Sequence, residues 1–319
     1  MVICSVMKTS EINSILGFEA NDQQIDAINK LTDFSADNNQ DDVVILKGSA
    51  GTGKTSIIKA VSKVLWDRDN RIIMMAPTGR ASKILKEKTG FDAHTIHSEI
   101  YTPEQLENGI IRLHKKTNEN QAYTIFFVDE SSMISDNKKS NDSFITENSL
   151  LEDLINYVKK GNKNNKIIFI GDKFQLPPIQ EGFSPALTKE YLYSNYSLKC
   201  NEIELTKVMR QADGSNILEM ATLLRDQMIK GNSEFYGLNI SASGYSRYAM
   251  ERYLRCYNPD DISAVTVICG ANTNVDTWNN WIRKELGFAN ETISNGDFIV
   301  TQQSHIDSDG NFIFKGEFG

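Results

Sequence analysis

Cysteine is scarce in this chain of 319 residues: Cys4, Cys200, Cys256 and Cys269 are the only four, and no two of them form a C-x-x-C pair. That spacing fits neither a zinc site nor a disulfide framework, and the thiols suit a reducing cytoplasm. Long apolar runs are missing too, since no uninterrupted stretch reaches the roughly 20 residues that a bilayer-spanning helix needs. The opening segment, MVICSVMKTSEINSILGFEA, has one lysine and a broken apolar run, so it does not read as a secretory leader. A soluble cytoplasmic protein with no membrane association is expected. Positive charge is in deficit: 34 Lys and Arg against 42 Asp and Glu leave a net charge of −8. Any nucleic-acid contact must therefore run along a local track and not rest on the field of the whole molecule. With six prolines and 40% hydrophobic residues the chain can bury substantial cores, and its length suits about two domains.

The most informative stretch is VVILKGSAGTGKTSIIKA, residues 43–60. An apolar β-branched run gives way to small residues and then to a helix-forming segment. Three glycines here imply a sharp turn or close approach of the backbone to a ligand. The spacing G-x-x-x-x-G-K-T selects a phosphate as that ligand. Backbone N–H groups from Gly48, Ser49, Ala50, Gly51, Thr52 and Gly53 would form a concave nest, backed by the positive end of a helix that starts at Lys54, Thr55 and Ser56. Lys54 would reach the β- and γ-phosphates and Thr55 would bind Mg²⁺. A bound nucleoside triphosphate follows from this stretch, and the use of its energy does not.

Four apolar runs have the length and flanks of buried parallel strands: residues 43–47, 71–77, 124–130 and 166–172. Helix-forming segments separate several of them, which predicts a doubly wound α/β sheet with its ligand at the carboxyl ends of the strands. Gly48, Pro77, Asp129 and Asp172 all fall at those ends. Two insertions interrupt the pattern. Residues 100–123 read as a small β-hairpin around Glu-Asn-Gly, and residues 135–149 as a polar, mobile segment. The pattern restarts after Lys199 with a helix (SNILEMATLLRDQMIK), a strand (AVTVICG), a helix (TNVDTWNNWIRKELG) and a strand (DFIVTQQ). The expected organisation is a lead at 1–20, a first lobe at 21–198 and an incomplete second α/β lobe at 199–319.

Adjacent carboxylates at the end of a buried strand repel one another, so Asp129 and Glu130 in FFVDESS call for a cation. Mg²⁺ on Asp129 resolves this, and Glu130 is then placed to polarise an attacking water. Gln175, in the turn braced by Pro177 and Pro178, is suited to a hydrogen bond with the γ-phosphate. Gln24 has two readings of equal standing: the N3 member of a capping box begun by Asn21, or a reader of an adenine edge.

Taken in order, GSAGTGKTS, APTGRAS, TIHS, FFVDESSM, GDKFQLPPI and LTKVMRQ resemble the motifs of RecD-like and Dda-like DNA helicases of superfamily 1B, 5′-to-3′ motors, from about residue 20 onward. The resemblance implies a RecA-like P-loop sheet followed by part of a second RecA-like lobe, with ATP and Mg²⁺ as cofactors and single-stranded DNA and duplex junctions as partners. It assigns Gln24 to adenine, Lys54, Thr55, Asp129 and Glu130 to MgATP, Gln175 to coupling between nucleotide and DNA, and Arg210 to an arginine finger. Pro77, Thr78, Arg80, Thr95 and His97 match motifs that touch single-stranded DNA. So do Asn272, Asn279 and Arg283, although the usual Thr-Asn pair reads Ala271-Asn272 here. The hairpin takes the place of a strand-separating pin, to which Tyr101, His114, Lys115 and Lys116 could contribute; an ordinary solvated hairpin is the other reading. Trp278 and Trp281 fit a core better than base stacking. Because family members continue into further motifs, a front portion of a longer helicase is expected. The alternative to a motor is a nucleotide-gated module that binds single strands without unwinding.

Overall fold

Strands that are buried on both faces must be apolar along their whole length, and such runs build the centre of this protein. A computed structural model describes residues 7–36, 40–106, 110–138, 144–208, 216–231, 247–259, 261, 264–288, 293–294, 297, 299, 305–306 and 312–313. Helices α1 (Thr9–Leu16) and α2 (Asp22–Phe34) precede β1 (Val43–Gly48), α3 (Lys54–Asp67), β2 (Arg71–Ala76), α4 (Gly79–Thr89), β3 (Ala93–Thr95) and α5 (Ile96–Ile100). Then come β4 (Tyr101–Gln105), β5 (Ile111–Lys115), β6 (Thr124–Val128), β7 (Phe144–Ile145), α6 (Leu150–Gly161), β8 (Lys166–Gly171), α7 (Lys189–Tyr196) and β9 (Cys200–Leu205). Helices α8 (Asn216–Ile229), α9 (Arg247–Cys256) and α10 (Asn272–Glu285) follow, with short strands β10 (His305–Ile306) and β11 (Phe312–Ile313) forming an antiparallel pair.

Six strands make one parallel sheet in the order β3-β2-β6-β8-β1-β9. Its two faces carry separate cores, and successive residues of β1 alternate between them. Val43 and Ile45 pack with Phe126, Phe169 and the Leu151, Leu154 and Val158 stripe of α6. Val44 and Leu46 pack with Phe127, Ile170, Ile28 and Leu31 of α2 and Ile58 and Val61 of α3. Full burial of an aliphatic side chain is worth about 1.5–3 kcal/mol, so these layers fix the register firmly.

The chain divides into two compact units, one comprising Met1–Asp213 with Val300–Phe318 and the other Gly214–Ile299. The second lobe was expected to open at residue 199, but β9 is the sixth strand of the first sheet and pairs with β1 from Val43↔Cys200 to Gly48↔Leu205. It sits at the sheet edge and mixes buried with exposed residues, which hides it from a search for continuous apolar runs. In the second unit the expected helices appear as α8 and α10. Residues 264–270, expected as a strand, carry no regular structure; of the strand expected at 297–303 all but residues 297 and 299 lie outside the described residues, and α9 was not foreseen.

The insertion at 100–123 is a hairpin, β4 antiparallel to β5 from Tyr101↔Lys115 to Gln105↔Ile111; its Glu-Asn-Gly turn lies outside the described residues. The expected mobile segment at 135–149 is instead fastened at both ends where it is described. Phe144 and Ile145 form β7, which adds in parallel to β5. Asp136 accepts hydrogen bonds from Tyr191 and Tyr196 at 2.6 Å each, and another from Ser149. A polar composition does not loosen a segment whose carboxylate is held by three hydroxyls.

Candidate nucleotide-binding site

The parallel order places β8 between β1 and β6, so the loops after these three strands leave the same edge side by side. After β1, the residues from Ser49 onward turn back sharply to start α3 at Lys54. Gly51 and Gly53 have φ of 82° and 92°. At Gly53 the requirement is twofold, because a Cβ there would also lie 2.3 Å from Gln24 Nε2. Thr52 closes the loop by donating its hydroxyl to Ser49 O at 2.8 Å. Lys54 Nζ lies inside the curve, donating to Gly48 O at 2.5 Å and Ser49 O at 3.2 Å. Ala50 is exposed, and Thr55 and Ser56 are half-buried in the first turn of α3. Ser49 Oγ is buried with no hydrogen-bond partner among the described residues. A cradle with an orphaned hydroxyl and a lysine held in its concavity fits a phosphate chain.

Asp129 directly follows β6, with its N–H bonded to Met75 O at 2.9 Å and its Oδ1 accepting from Glu130 N at 3.0 Å. Burial, reinforced by the neighbouring Glu130 charge, pushes its carboxyl up to about 6, against the pull of the Lys54 and Lys88 charges. The cradle follows β1 and Asp129 follows β6, with only β8 between those strands, so both lie on one edge of the sheet. A hard divalent cation takes oxygen ligands, and the Thr55 hydroxyl and Asp129 carboxylate are donors of that kind, so the residue types fit Mg²⁺. Glu130 sits at φ 50°, ψ 37°, a left-handed conformation uncommon for glutamate and concentrated at functional sites. Gln175 lies on the loop after β8, and its Oε1 accepts from Ser132 Oγ at 2.8 Å. Ser132 is therefore a member of the site that the sequence did not single out; its position two residues beyond Glu130 was the available signal.

Of the two readings of Gln24, the capping box is formed. Its N–H and Oε1 complete the capping box with Asn21, while its Nε2 donates to Thr52 O at 3.3 Å on the cradle. Gln23, also missed, accepts from the N–H groups of Thr206 and Lys207 and donates to Thr206 Oγ1, at 2.9–3.1 Å.

Ala76 and Thr95 are register partners, so the segments after β2 and β3 leave the same sheet edge together. They carry Pro77, Thr78, Arg80 and His97. Thr78 and Thr95 are N-caps, accepting from Ala81 N and Ser98 N, and Arg80 is exposed. The His97 ring lies 5.8 Å from that of Tyr101, and burial lowers its pKa to about 4, so it is neutral at physiological pH. In the second unit Asn279 is exposed on α10, and Arg283 is held by Asp297 at 2.8 Å. Trp278 and Trp281 are half-buried with ring centroids 5.3 Å apart. Asn272 begins α10; its side chain, and all of Arg210, lie outside the described residues.

A parallel sheet carrying this cradle, with an acidic strand end one strand removed, defines a P-loop nucleotide-binding fold. The family model described as an AAA domain (AAA_30) matches residues 19–239, and the chain belongs to that family. Among curated relatives, the ATP-dependent DNA helicase Dda of Enterobacteria phage T4 is 27% identical over 271 residues, 82% of this chain and 56% of that protein. The ATP-dependent RecD2 DNA helicase of Deinococcus radiodurans is 30% identical over 180 residues, 56% of this chain and 21% of that protein. The chain thus spans little more than half the length of the first and about a fifth of the second. A solved Pif1 helicase from Candida albicans overlaps with a TM-score of 0.49 at 17% identity, covering 88% of this chain and 56% of that one. Among the described residues, no helix is long and apolar enough to cross a membrane.

The cradle gives a direct prediction. Gly53→Ala combines a strained φ with a clash at Gln24, and ATP affinity is expected to fall at least about tenfold. Nucleotide titration checks this, and an unchanged affinity would show that the loop has room to spare.

Proposed function

We propose that the chain is an ATP-driven motor on single-stranded DNA, moving 5′ to 3′ and acting at duplex junctions. The observation that supports it is the gathering, on one edge of one sheet, of the phosphate cradle, the Asp129–Glu130 pair, Gln175 and the paired segments bearing Thr78, Arg80, Thr95 and His97. Lys54 exchanges its loop carbonyls for the β- and γ-phosphate oxygens and neutralises their charge. Thr55 and Asp129 hold Mg²⁺, which supplies Lewis-acid stabilisation of the phosphoryl group when bound. Glu130 orients the attacking water and accepts its proton. Gln175, braced by Ser132, reports the presence of the γ-phosphate. Gln24 carries both the cap and the adenine contact, and Arg210 completes the charge stabilisation as an arginine finger. Pro77, Thr78, Arg80, Thr95 and His97, with Asn272 and Asn279, contact the sugar-phosphate chain, which sets position without reading sequence. Arg283, paired with Asp297, is proposed as a further contact to the strand.

ATP turnover with and without single-stranded DNA is the test. Stimulation of about tenfold or more is expected, falling steeply between low and moderate salt because phosphate contacts release counterions. A DNA-independent rate would sink the DNA assignment. Stimulated turnover without separation of a tailed duplex would favour the nucleotide-gated binding module.

A further inference from the structure

A two-stranded hairpin is marginal in water on its own and needs support from elsewhere. The support here converges on one carboxylate. Asp153, on α6, is fully buried. Its Oδ2 accepts from the Tyr101 hydroxyl at 2.7 Å, and its Oδ1 faces Lys115 Nζ at 3.0 Å and Asn148 Nδ2 at 2.9 Å. Tyr101 opens β4, Lys115 closes β5 and the two are cross-strand partners, while Asn148 follows β7. Both strands of the hairpin, and the segment that leads out of β7, are therefore fastened to a single side chain at the root of the hairpin. One turn further along α6, Tyr157 donates to Glu99 of α5 at 3.0 Å, and Lys116 Nζ caps Ser98 O at 2.7 Å. Buried charge is costly unless fully partnered, and these partners satisfy it. Tyr101 is itself buried, which removes it from any surface contact. At the exposed part of the hairpin Glu104 and His114 pair with each other at 2.6 Å.

We propose that Asp153 is a positioning residue that makes the hairpin a stiff projection from the lobe, able to resist the force of a duplex being drawn against it. The hairpin springs from α5, directly after Thr95 and His97, so a strand passing those residues reaches its root. The use of the stiffness rests on the DNA-motor reading; the stiffness itself does not.

The test compares the full chain with Tyr101→Phe, which deletes one bond without touching α6, and with Asp153→Asn combined with Tyr101→Phe. Backbone amides of β4 and β5 are expected to exchange with solvent at least tenfold faster in the double variant, with those of β1, β6 and β8 unchanged. Separation of a tailed duplex falls at least tenfold, and ATP turnover with single-stranded DNA stays within threefold of the parent. Exchange in the hairpin equal to the parent, or acceleration throughout the central sheet, overturns the assignment. So does a parallel loss of unwinding and turnover. A parent whose turnover ignores DNA refutes the motor reading separately, and the exchange comparison still decides whether Asp153 holds the hairpin.

Discussion

Lys54→Ala is expected to weaken ATP binding by about ten- to a hundredfold and to bring turnover close to background. A hydrogen bond to a charged partner contributes about 1.5–3 kcal/mol, which corresponds to that range of affinity. The variant removes a donor that already lies in the cradle, 2.5 Å from Gly48 O, so no rearrangement elsewhere replaces it. Gly48 and Ser49 are buried and their carbonyls lose a donor on truncation, so the unfolding midpoint without nucleotide should fall by about 2–4 °C. Calorimetric titration with ATP checks the first part and thermal melting the second. Parent-like affinity would remove Lys54 from the phosphate site.

Glu130→Gln separates binding from chemistry. The amide keeps the size of the side chain and the left-handed backbone of residue 130, while losing the basic oxygen. Turnover should drop about 10²–10⁴-fold, the usual contribution of a positioned general base, with ATP affinity within a fewfold of the parent. The substitution also removes the like charge that, after burial, is the second cause of the raised Asp129 pKa. Asp129 in the variant therefore ionises at lower pH, and Mg²⁺-dependent nucleotide binding should persist further into the acid range than in the parent. Steady-state rates, with titrations at pH 5 and pH 7, read both effects. Turnover within tenfold of the parent would exclude Glu130 as the base.

The cradle and the central strands were legible because their physics is local. A glycine pattern between strand and helix specifies a backbone shape, and strands covered on both faces, such as Thr124–Val128 and Lys166–Gly171, announce themselves as unbroken apolar runs. β9 was not legible for the converse reason: half of its residues face solvent and its partner β1 lies some 155 residues earlier, as in the Lys47–Glu202 pair at its side. Polar side chains were the hardest to place. Thr78 and Thr95 show the same hydroxyl whether they cap a helix or meet a phosphate, and only the fold reveals the caps. Arg283 reads as a free cation until Asp297 is found against it. Residues 135–149 read as loose because nothing nearby in sequence discloses that Tyr191 and Tyr196 hold Asp136.

Gln23 and Gln24 are consecutive, yet one holds Thr206 and Lys207 and the other holds Thr52. The start of α2 is thus a common hinge pin for the cradle and for the chain as it departs from β9, two places that the primary structure keeps more than 150 residues apart. Tilting that helix end strains both grips at once, and the two places cannot shift independently while both grips hold.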